Sequence, residues 1–201
     1  MNFVSEQTAT RSYRMRKRLE DVEETRRRII DAAVDLHGSV GPAKTTFSAV
    51  ADRAGVQRST VYRHFADEEA LFGACTSHWL ADHPWPTPTD WMVEAAADKR
   101  LELGLRELYR YYAANEAMIA NSFRDIDVMP EFVGEMMLAQ LNRMHDVLVD
   151  AWPAGSRGRD LSAAVRHALE FRTWDSLTRN GLSPDEAARL MTAMITRGVN
   201  P

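Results

Sequence analysis

The 201-residue chain contains a single cysteine and no long apolar run. Cys75 cannot form an intramolecular disulfide, so a reducing compartment, by default the cytoplasm, is the expected setting. Nowhere do about 18 uncharged apolar residues follow one another, and no apolar segment follows the basic residues of the first twenty, so we expect neither a membrane span nor a secretory signal. With only 10 Gly, 8 Pro and no biased repeats, collagenous and low-complexity chains are also excluded.

Charge is present but unevenly distributed. Residues 1–66 contain 12 Lys and Arg against 8 Asp and Glu, whereas residues 67–201 contain 13 against 21. A basic amino-terminal third followed by an acidic remainder indicates one part that meets a polyanion and another that does not. A solvated, charged helix would explain the same balance, so composition alone leaves both interpretations open.

Apolar residues recur at spacings of three and four nearly throughout, which predicts an all-α protein without a convincing strand. The Pro-rich segment HPWPTPTD, residues 83–90, predicts a stiff connection between two helical parts. Ser183, Pro184 and Glu186 form a capping-box pattern before the last helix. Nine helices are expected, over about 20–39, 46–55, 55–65, from 67 onward, 90–114, a short segment to 128, 130–152, 160–180 and from 183 onward.

Two short helices joined through Ala54-Gly55-Val56 predict a helix-turn-helix. Glycine permits the sharp turn, Thr46 is a natural N-cap, and Val61 is expected to hold the second helix against the first. The polar face of that second helix would fit a DNA major groove about 12 Å wide. Similar two-helix turns also occur in inert bundles.

Residues 25–72 closely resemble the amino-terminal domain of the tetracycline-repressor (TetR) family of transcriptional regulators. The resemblance rests on spaced positions along this segment: Arg26, Ala32-Ala33, Gly41, Thr46, Ala54-Gly55-Val56 and Thr60-Val61-Tyr62-Arg63-His64-Phe65. It implies a helix-turn-helix DNA-binding domain over residues 1–66 and a helical ligand-binding and dimerisation domain over residues 67–201. It further implies a homodimer on an inverted-repeat operator and release from DNA on binding a small molecule, with no cofactor.

The resemblance also assigns roles to residues around the turn. Arg58, Ser59, Thr60 and Arg63 would lie toward base edges, and Thr46, Tyr62 and His64 would face phosphates. The basic arm Arg11–Arg18 is expected either to contact DNA or to be a disordered tail.

Three positions depart from the family pattern. Gln57 replaces a frequent serine cap, which weakens the cap and frees Gln57 to reach DNA. His37 occupies a core position that is commonly aromatic, where a hydrogen-bonded core histidine is favoured over a pH switch. Glu68 replaces a frequent lysine, which would remove one phosphate contact.

The last two predicted helices resemble the family's dimerisation helices. They carry a stripe of small and apolar residues, Ala164, Ala168, Ala187, Leu190, Met191 and Met194. The resemblance implies that this stripe forms a four-helix bundle about a twofold axis, and the alternative is that the two helices pack within one subunit. A cavity for an apolar or amphipathic effector is expected between the preceding helices. Its candidate lining residues are Tyr109, Tyr112, Phe123, Met136, Met137, Met144 and Trp174, all of which could equally be core; Asn121, Arg124 and Arg172 could supply polar ends.

No enzyme constellation is found. The sequence has no HExxH, GxxxxGK[ST], GxSxG or GxGxxG motif. Cys75 and His78 would supply only two ligands, too few for tetrahedral zinc. We therefore expect neither an enzyme nor a metal protein. The alternative to a regulator is a helical small-molecule-binding or structural protein without DNA activity. Exposure of the face that carries Arg58, Tyr62 and Arg63 discriminates between the two, because only a DNA-binding regulator requires it.

Overall fold

The computed structural model describes the backbone of residues 3–199 and the side chains of residues 13–198. Over this part of the chain the protein is all-α, as predicted, but it contains ten α-helices rather than nine. These are α1 Phe3–Ser39, α2 Phe47–Ala54, α3 Arg58–His64, α4 Glu68–Asp82, α5 Ala97–Ala114, α6 Glu116–Arg124, α7 Glu131–Val149, α8 Arg159–Leu169, α9 Phe171–Arg179 and α10 Pro184–Val199. No helix in the described range combines the length and apolarity needed to cross a bilayer.

The chain divides into two compact units, one ending at Trp79 and the next beginning at Leu80. In the first unit, α1 packs on α2 and α2 on α3. Their apolar faces share one core with α4, formed by Ile29, Ile30, Ala33, Phe47, Val50, Val61, Phe65, Leu71 and Cys75. This core fixes α3 by its inner side only, because Val61 is fully buried while most of its neighbours on α3 are exposed.

Helix α1 begins at Phe3, so the predicted start near Glu20 is wrong. No glycine or proline occurs before Gly38, and Arg, Lys, Glu and Leu are good helix formers, so nothing in the sequence ends the helix earlier. The described part of the predicted basic arm is therefore helical rather than disordered. Arg11, the first residue of that arm, lies outside the described side chains.

In the second unit, α10 packs along α5, and α7 packs on α8 and α5. The core between them is built from Leu101, Leu105, Leu108, Tyr109, Tyr112, Met144, Leu148, Leu161 and Leu169, all 0 or 1% exposed. Residues 83–90 interrupt the helices, as predicted. However, α5 begins at Ala97 rather than near Asp90, because Pro88–Val93 forms a separate 3₁₀ turn.

That turn inserts Trp91 against α5 and α7. Trp91 is fully buried, and its indole N–H donates to Glu107 Oε2 at 2.6 Å. Gly104 makes room for the ring, since a Cβ at this position would lie 2.9 Å from both Trp91 Cε3 and Leu148 Cδ2. Glycine at position 104 is thus a packing requirement inside a helix where it would otherwise be unfavourable.

The single helix predicted over residues 160–180 is interrupted at Glu170, which has extended backbone angles. At the break, the Tyr109 and Tyr112 hydroxyls donate to the main-chain carbonyls of Ala168 and Leu169, each at 2.8 Å. These two phenols from α5 satisfy acceptors that a bent helix leaves open. The sequence around Glu170 contains no glycine or proline to signal the bend.

Candidate nucleic-acid interface

The α2–turn–α3 segment has the local geometry that its sequence predicts. The Thr46 hydroxyl accepts a hydrogen bond from the Ala49 amide at 3.2 Å and caps α2. Gly55 ends α2 in the left-handed region at φ 65°, where side chains are disfavoured. Gln57 precedes α3 without a side-chain capping bond, in agreement with the weaker cap expected there.

Helix α1 braces the turn through a contact that the sequence does not signal. Arg28 Nη2 donates to the Ala54 carbonyl at 2.5 Å, and Arg53 forms an ion pair with Asp35. Both contacts join residues that are far apart in the chain, so no local pattern could have identified them. They fix the turn, and with it the direction of α3, against the first helix.

The exposed face of α3 carries most of the predicted DNA-binding residues. Five of these side chains on or beside the helix are exposed, namely Gln57, Arg58, Ser59, Tyr62 and Arg63, and so is Thr46 at the start of α2. Thr60 and His64 are half-buried. The structure thus brings this set together on one side of a short helix, with Val61 and Phe65 anchored in the core on the other side.

Arg58 and Tyr62 lie one helical turn apart and contact each other. The Arg58 Nη2 atom donates to the Tyr62 hydroxyl at 2.9 Å, and its guanidinium carbon lies 5.4 Å from the centre of the tyrosine ring. The tyrosine ring in turn packs on buried Phe47, with 4.8 Å between ring centres. Phe47 therefore supports Tyr62, which in turn contacts Arg58.

Electrostatics distinguish the basic residues of this face. Partial burial, with Arg63 and Arg26 nearby, lowers the pKa of His64, so its imidazole is neutral at pH 7 and can offer a hydrogen bond but no charge. Arg26 lies over the Phe65 ring, 5.0 Å from its centre, at the base of α3. Positive charge on the exposed face therefore comes from Arg58 and Arg63.

Two other titratable side chains of the first unit, His37 and Cys75, are buried in its core. Burial lowers the pKa of His37 to about 4, and its ring stacks on Phe72 with 4.5 Å between centres. Burial raises the pKa of Cys75 to about 12, and His78 pairs with Asp31 at 2.9 Å. No group of three or more potential metal ligands is assembled among the described residues.

In the second unit, the candidate effector-binding residues lie mostly in the core. Tyr109, Tyr112 and Met144 are fully buried, Trp174 and Met137 are nearly so, and Phe123 and Met136 are half-buried. The aromatic members form one cluster through Phe171, whose ring lies 5.8 Å from Phe123, 5.1 Å from Trp174 and 5.4 Å from Tyr112. Among the candidate polar ends, Arg124 binds Asn121 and Asp125, whereas Arg172 is exposed.

Comparisons with known proteins support the assignment of the first unit. A model of "Bacterial regulatory proteins, tetR family" matches residues 29–75. Over 57 residues the chain is 39% identical to the HTH-type transcriptional regulator AcrR of Shigella flexneri, covering 28% of this chain and 26% of that protein. Over 87 residues it is 46% identical to the HTH-type transcriptional regulator SrpR of Pseudomonas putida, covering 43% of this chain and 39% of that protein. The matches thus span about two-fifths or less of these two relatives.

Solved structures extend the likeness in fold to most of the chain. A TetR-like transcriptional regulator from Rhodococcus sp. RHA1 superposes with a TM-score of 0.59 at 16% identity, covering 87% of this chain and 95% of that one. NalD, the secondary repressor of the MexAB-OprM multidrug efflux pump in Pseudomonas aeruginosa, gives 0.55 at 22% identity, covering 89% and 97%. These relatives are named as regulators and not as enzymes. The helix-turn-helix geometry and the match of the family model together show that residues 29–75 are similar to the DNA-binding domain of the TetR family of bacterial regulatory proteins.

Proposed function

We propose that the chain is a transcriptional repressor that binds an inverted-repeat operator as a homodimer and leaves it on binding a small apolar or amphipathic effector. Residues 1–66 would supply the DNA-binding domain, and residues 67–201 the effector-binding and dimerisation domain. Such a protein acts where the chromosome is, in the cytoplasm of a bacterium. The repressing direction is favoured because the structural neighbour NalD is named as a repressor.

The observation that carries the proposal is the exposed polar face of α3. Any exposed helix face is turned to water. This one is distinguished by its composition, because it combines two guanidinium groups with hydroxyl and amide side chains. Arg can donate two hydrogen bonds to guanine O6 and N7, and Ser59 and Thr60 can donate or accept at base edges. Thr46, Tyr62 and His64 flank this face, where they can reach phosphates.

Dimerisation through the last two helices of the family would place two such faces on one duplex. Ala168, Ala187 and Met191 of the predicted stripe are buried within the second unit, where α10 packs on α5. Leu190 and Met194 remain exposed, at 41% and 59%. We therefore assign the subunit contact to the face of α10 that carries Leu190 and Met194, and in DNA-bound form expect about 34 to 36 Å between recognition helices.

The aromatic cluster around Phe171 is the site we propose for the effector. The Trp174 indole N–H lies buried in this cluster, and no described residue accepts its hydrogen bond. A buried donor without an acceptor is costly, and a ligand that offers an acceptor would relieve that cost. An effector that is apolar overall with one hydrogen-bond acceptor fits these surroundings, and a coupling of about 1 to 3 kcal/mol to operator binding would suffice for release.

Selection of bound sequences from random duplexes tests the proposal. We expect an inverted repeat whose half-sites lie one helical turn apart, since a twofold dimer reads symmetric DNA. Recovery of unrelated sequences, with no retention of DNA above that of a control without the protein, would favour the alternative of a helical protein without DNA activity.

The selected duplex then allows a test of base reading by Arg58. Arg58→Ala should reduce discrimination between the operator and a single-base variant by about 1 to 3 kcal/mol at constant salt. Arg159→Ala is the matched control, because Arg159 is an exposed arginine of the second unit. Equal losses of Arg58→Ala on operator and random DNA would contradict a base-reading role.

A further inference from the structure

The amino-terminal part of α1 extends beyond the core of the first unit. From Tyr13 to Glu24, which we call the α1 extension, every side chain is exposed. Burial begins at Thr25 and Arg26, which are half-buried, and reaches the core at Ile29. The packed part of α1 supplies the helix nucleus for this stretch, but the α1 extension gains no stability from packing of its own. A partner that covers one of its faces would add that stability.

Three large apolar residues of the α1 extension share one face. Met15, Leu19 and Val22 are 60%, 65% and 43% exposed, and they follow one another at spacings of four and three. The same spacing continues through Arg26 to Ile29, so the exposed stripe is in line with the core stripe of the same helix. Alternating steps of three and four are the pattern of helices that pair side by side. Tyr13 lies on the other side of the helix.

The charges of the α1 extension are ordered along its length. Its first half carries Arg14, Arg16, Lys17 and Arg18, and its second half carries Glu20, Asp21, Glu23 and Glu24. The four positive and four negative charges cancel. A nucleic-acid partner would be repelled by the four carboxylates, because binding to DNA depends on neutralising phosphates with positive side chains.

A second copy of the same segment satisfies this order when it runs antiparallel. The basic half of each helix then lies beside the acidic half of the other, whereas a parallel arrangement would place like charges together. Antiparallel pairing about a twofold axis also closes after two copies, as an isologous contact requires. On the stripe, Leu19 then lies opposite Val22 of the partner subunit. On the flank of the stripe, Arg16 lies opposite Glu23 of the partner subunit.

We infer that the α1 extensions of two copies of this chain pair as antiparallel helices, with apolar contacts along Met15, Leu19 and Val22 and reciprocal ion pairs between Arg16 and Glu23. This contact is separate from the proposed α10 interface. Its apolar area is small, so it strengthens an existing dimer or joins two dimers, where tethering raises the effective concentration of the segments. It does not depend on DNA binding.

Charge reversal in the full-length protein tests the pairing. Sedimentation velocity over a concentration series is measured for the wild type, Arg16→Glu, Glu23→Arg and the double variant. Each single reversal turns two attractions into repulsions, so self-association should weaken by roughly ten- to thirtyfold. The double variant restores opposite charges and should return to within about threefold of the wild type.

Lys17→Glu and Glu24→Arg are the matched controls, because both residues are exposed and lie on the opposite side of the α1 extension from the stripe. They should leave self-association within about twofold of the wild type. Circular dichroism of each variant verifies that helix content is retained. This set separates a specific contact from a general effect of charge on association.

Failure of the double variant to restore association would overturn the inference, as would single reversals that behave like the controls. A drop in affinity for random-sequence DNA in Arg16→Glu, with sedimentation unchanged, would assign the segment to DNA instead and would also overturn it. If the chain bound no DNA in the duplex selection but the charge-reversal pattern held, the pairing would stand while the proposed function failed.

Discussion

The contact between Arg58 and Tyr62 predicts that the two residues read DNA as a unit. Tyr62→Phe removes the hydroxyl that accepts from Arg58 at 2.9 Å but keeps the ring that packs on Phe47. An exposed hydrogen bond of this kind contributes about 0.5 to 1.5 kcal/mol. If it positions the guanidinium for base reading, discrimination at the base pair read by Arg58 should fall by about two- to twelvefold.

A double-mutant cycle separates this role from a phosphate contact of Tyr62, which the family resemblance implies. Fluorescence anisotropy at fixed salt would compare operator and single-base variant for wild type, Tyr62→Phe, Arg58→Ala and the double variant. The discrimination lost in Tyr62→Phe should be absent when Arg58 is already alanine. Tyr13→Phe, the same change at another exposed tyrosine, should have no effect on discrimination.

A positioning role of Tyr62 is refuted if Tyr62→Phe weakens binding to the operator and to the variant duplex equally, by the same factor with and without Arg58. That result would mean that the hydroxyl meets a phosphate and that its contact with Arg58 carries no energy on DNA. If Tyr62→Phe instead lowers discrimination only in the protein that retains Arg58, and not in Arg58→Ala, Tyr62 is established as a positioning residue for the neighbouring guanidinium.

Three further predictions concern stability, measured by urea unfolding. Gly104→Ala should destabilise the second unit by about 1 to 3 kcal/mol, because the added methyl group has no room. Gly134→Ala is the control and should not destabilise it in this way, because a Cβ there would lie 3.8 Å from its nearest neighbour. Equal effects of the two substitutions would contradict the packing argument. Thr46→Ala should cost about 1 kcal/mol through loss of the α2 cap, and Thr46→Ser should restore most of it. Because burial lowers the pKa of His37 to about 4, the unfolded chain takes up a proton between pH 6.5 and 4 that the folded chain refuses. Stability should therefore fall by about 2 kcal/mol more between pH 7 and 5 in the wild type than in His37→Phe, and identical pH slopes would exclude this linkage.

Local sequence signals predicted the helix ends that depend on local chemistry. Thr46 caps α2 and Gly55 ends it, and the box before α10 forms as expected, with the Ser183 amide donating to Glu186 Oε2 at 2.9 Å. Each of these features is decided by the side chains of a few adjacent residues. The all-α class and the position of α3 followed from the same kind of pattern.

The features that sequence reasoning missed depend on distant residues or on the absence of a stop signal. The break at Glu170 is stabilised by hydroxyls from α5, about 60 positions away, and the bond from Arg28 to the α2 end spans 26 residues. Apolar periodicity does not reveal the early start of α1, because the described side chains before Thr25 are exposed, although no residue there stops a helix. The Arg58 and Tyr62 contact could have been inferred from their spacing of four on a helix.

The two phenols at the break between α8 and α9 have one further consequence for any molecule that enters the aromatic cluster. Each hydroxyl has its only hydrogen already committed to a main-chain oxygen. A ligand can therefore donate a hydrogen bond to a phenol oxygen without disturbing the bend. It can accept a hydrogen bond from a phenol only if that phenol gives up its bond to the main-chain oxygen. In the second case a main-chain carbonyl at the break loses its donor, so a ligand that accepts from a phenol would weaken the bend between α8 and α9, whereas one that donates to a phenol would leave it intact.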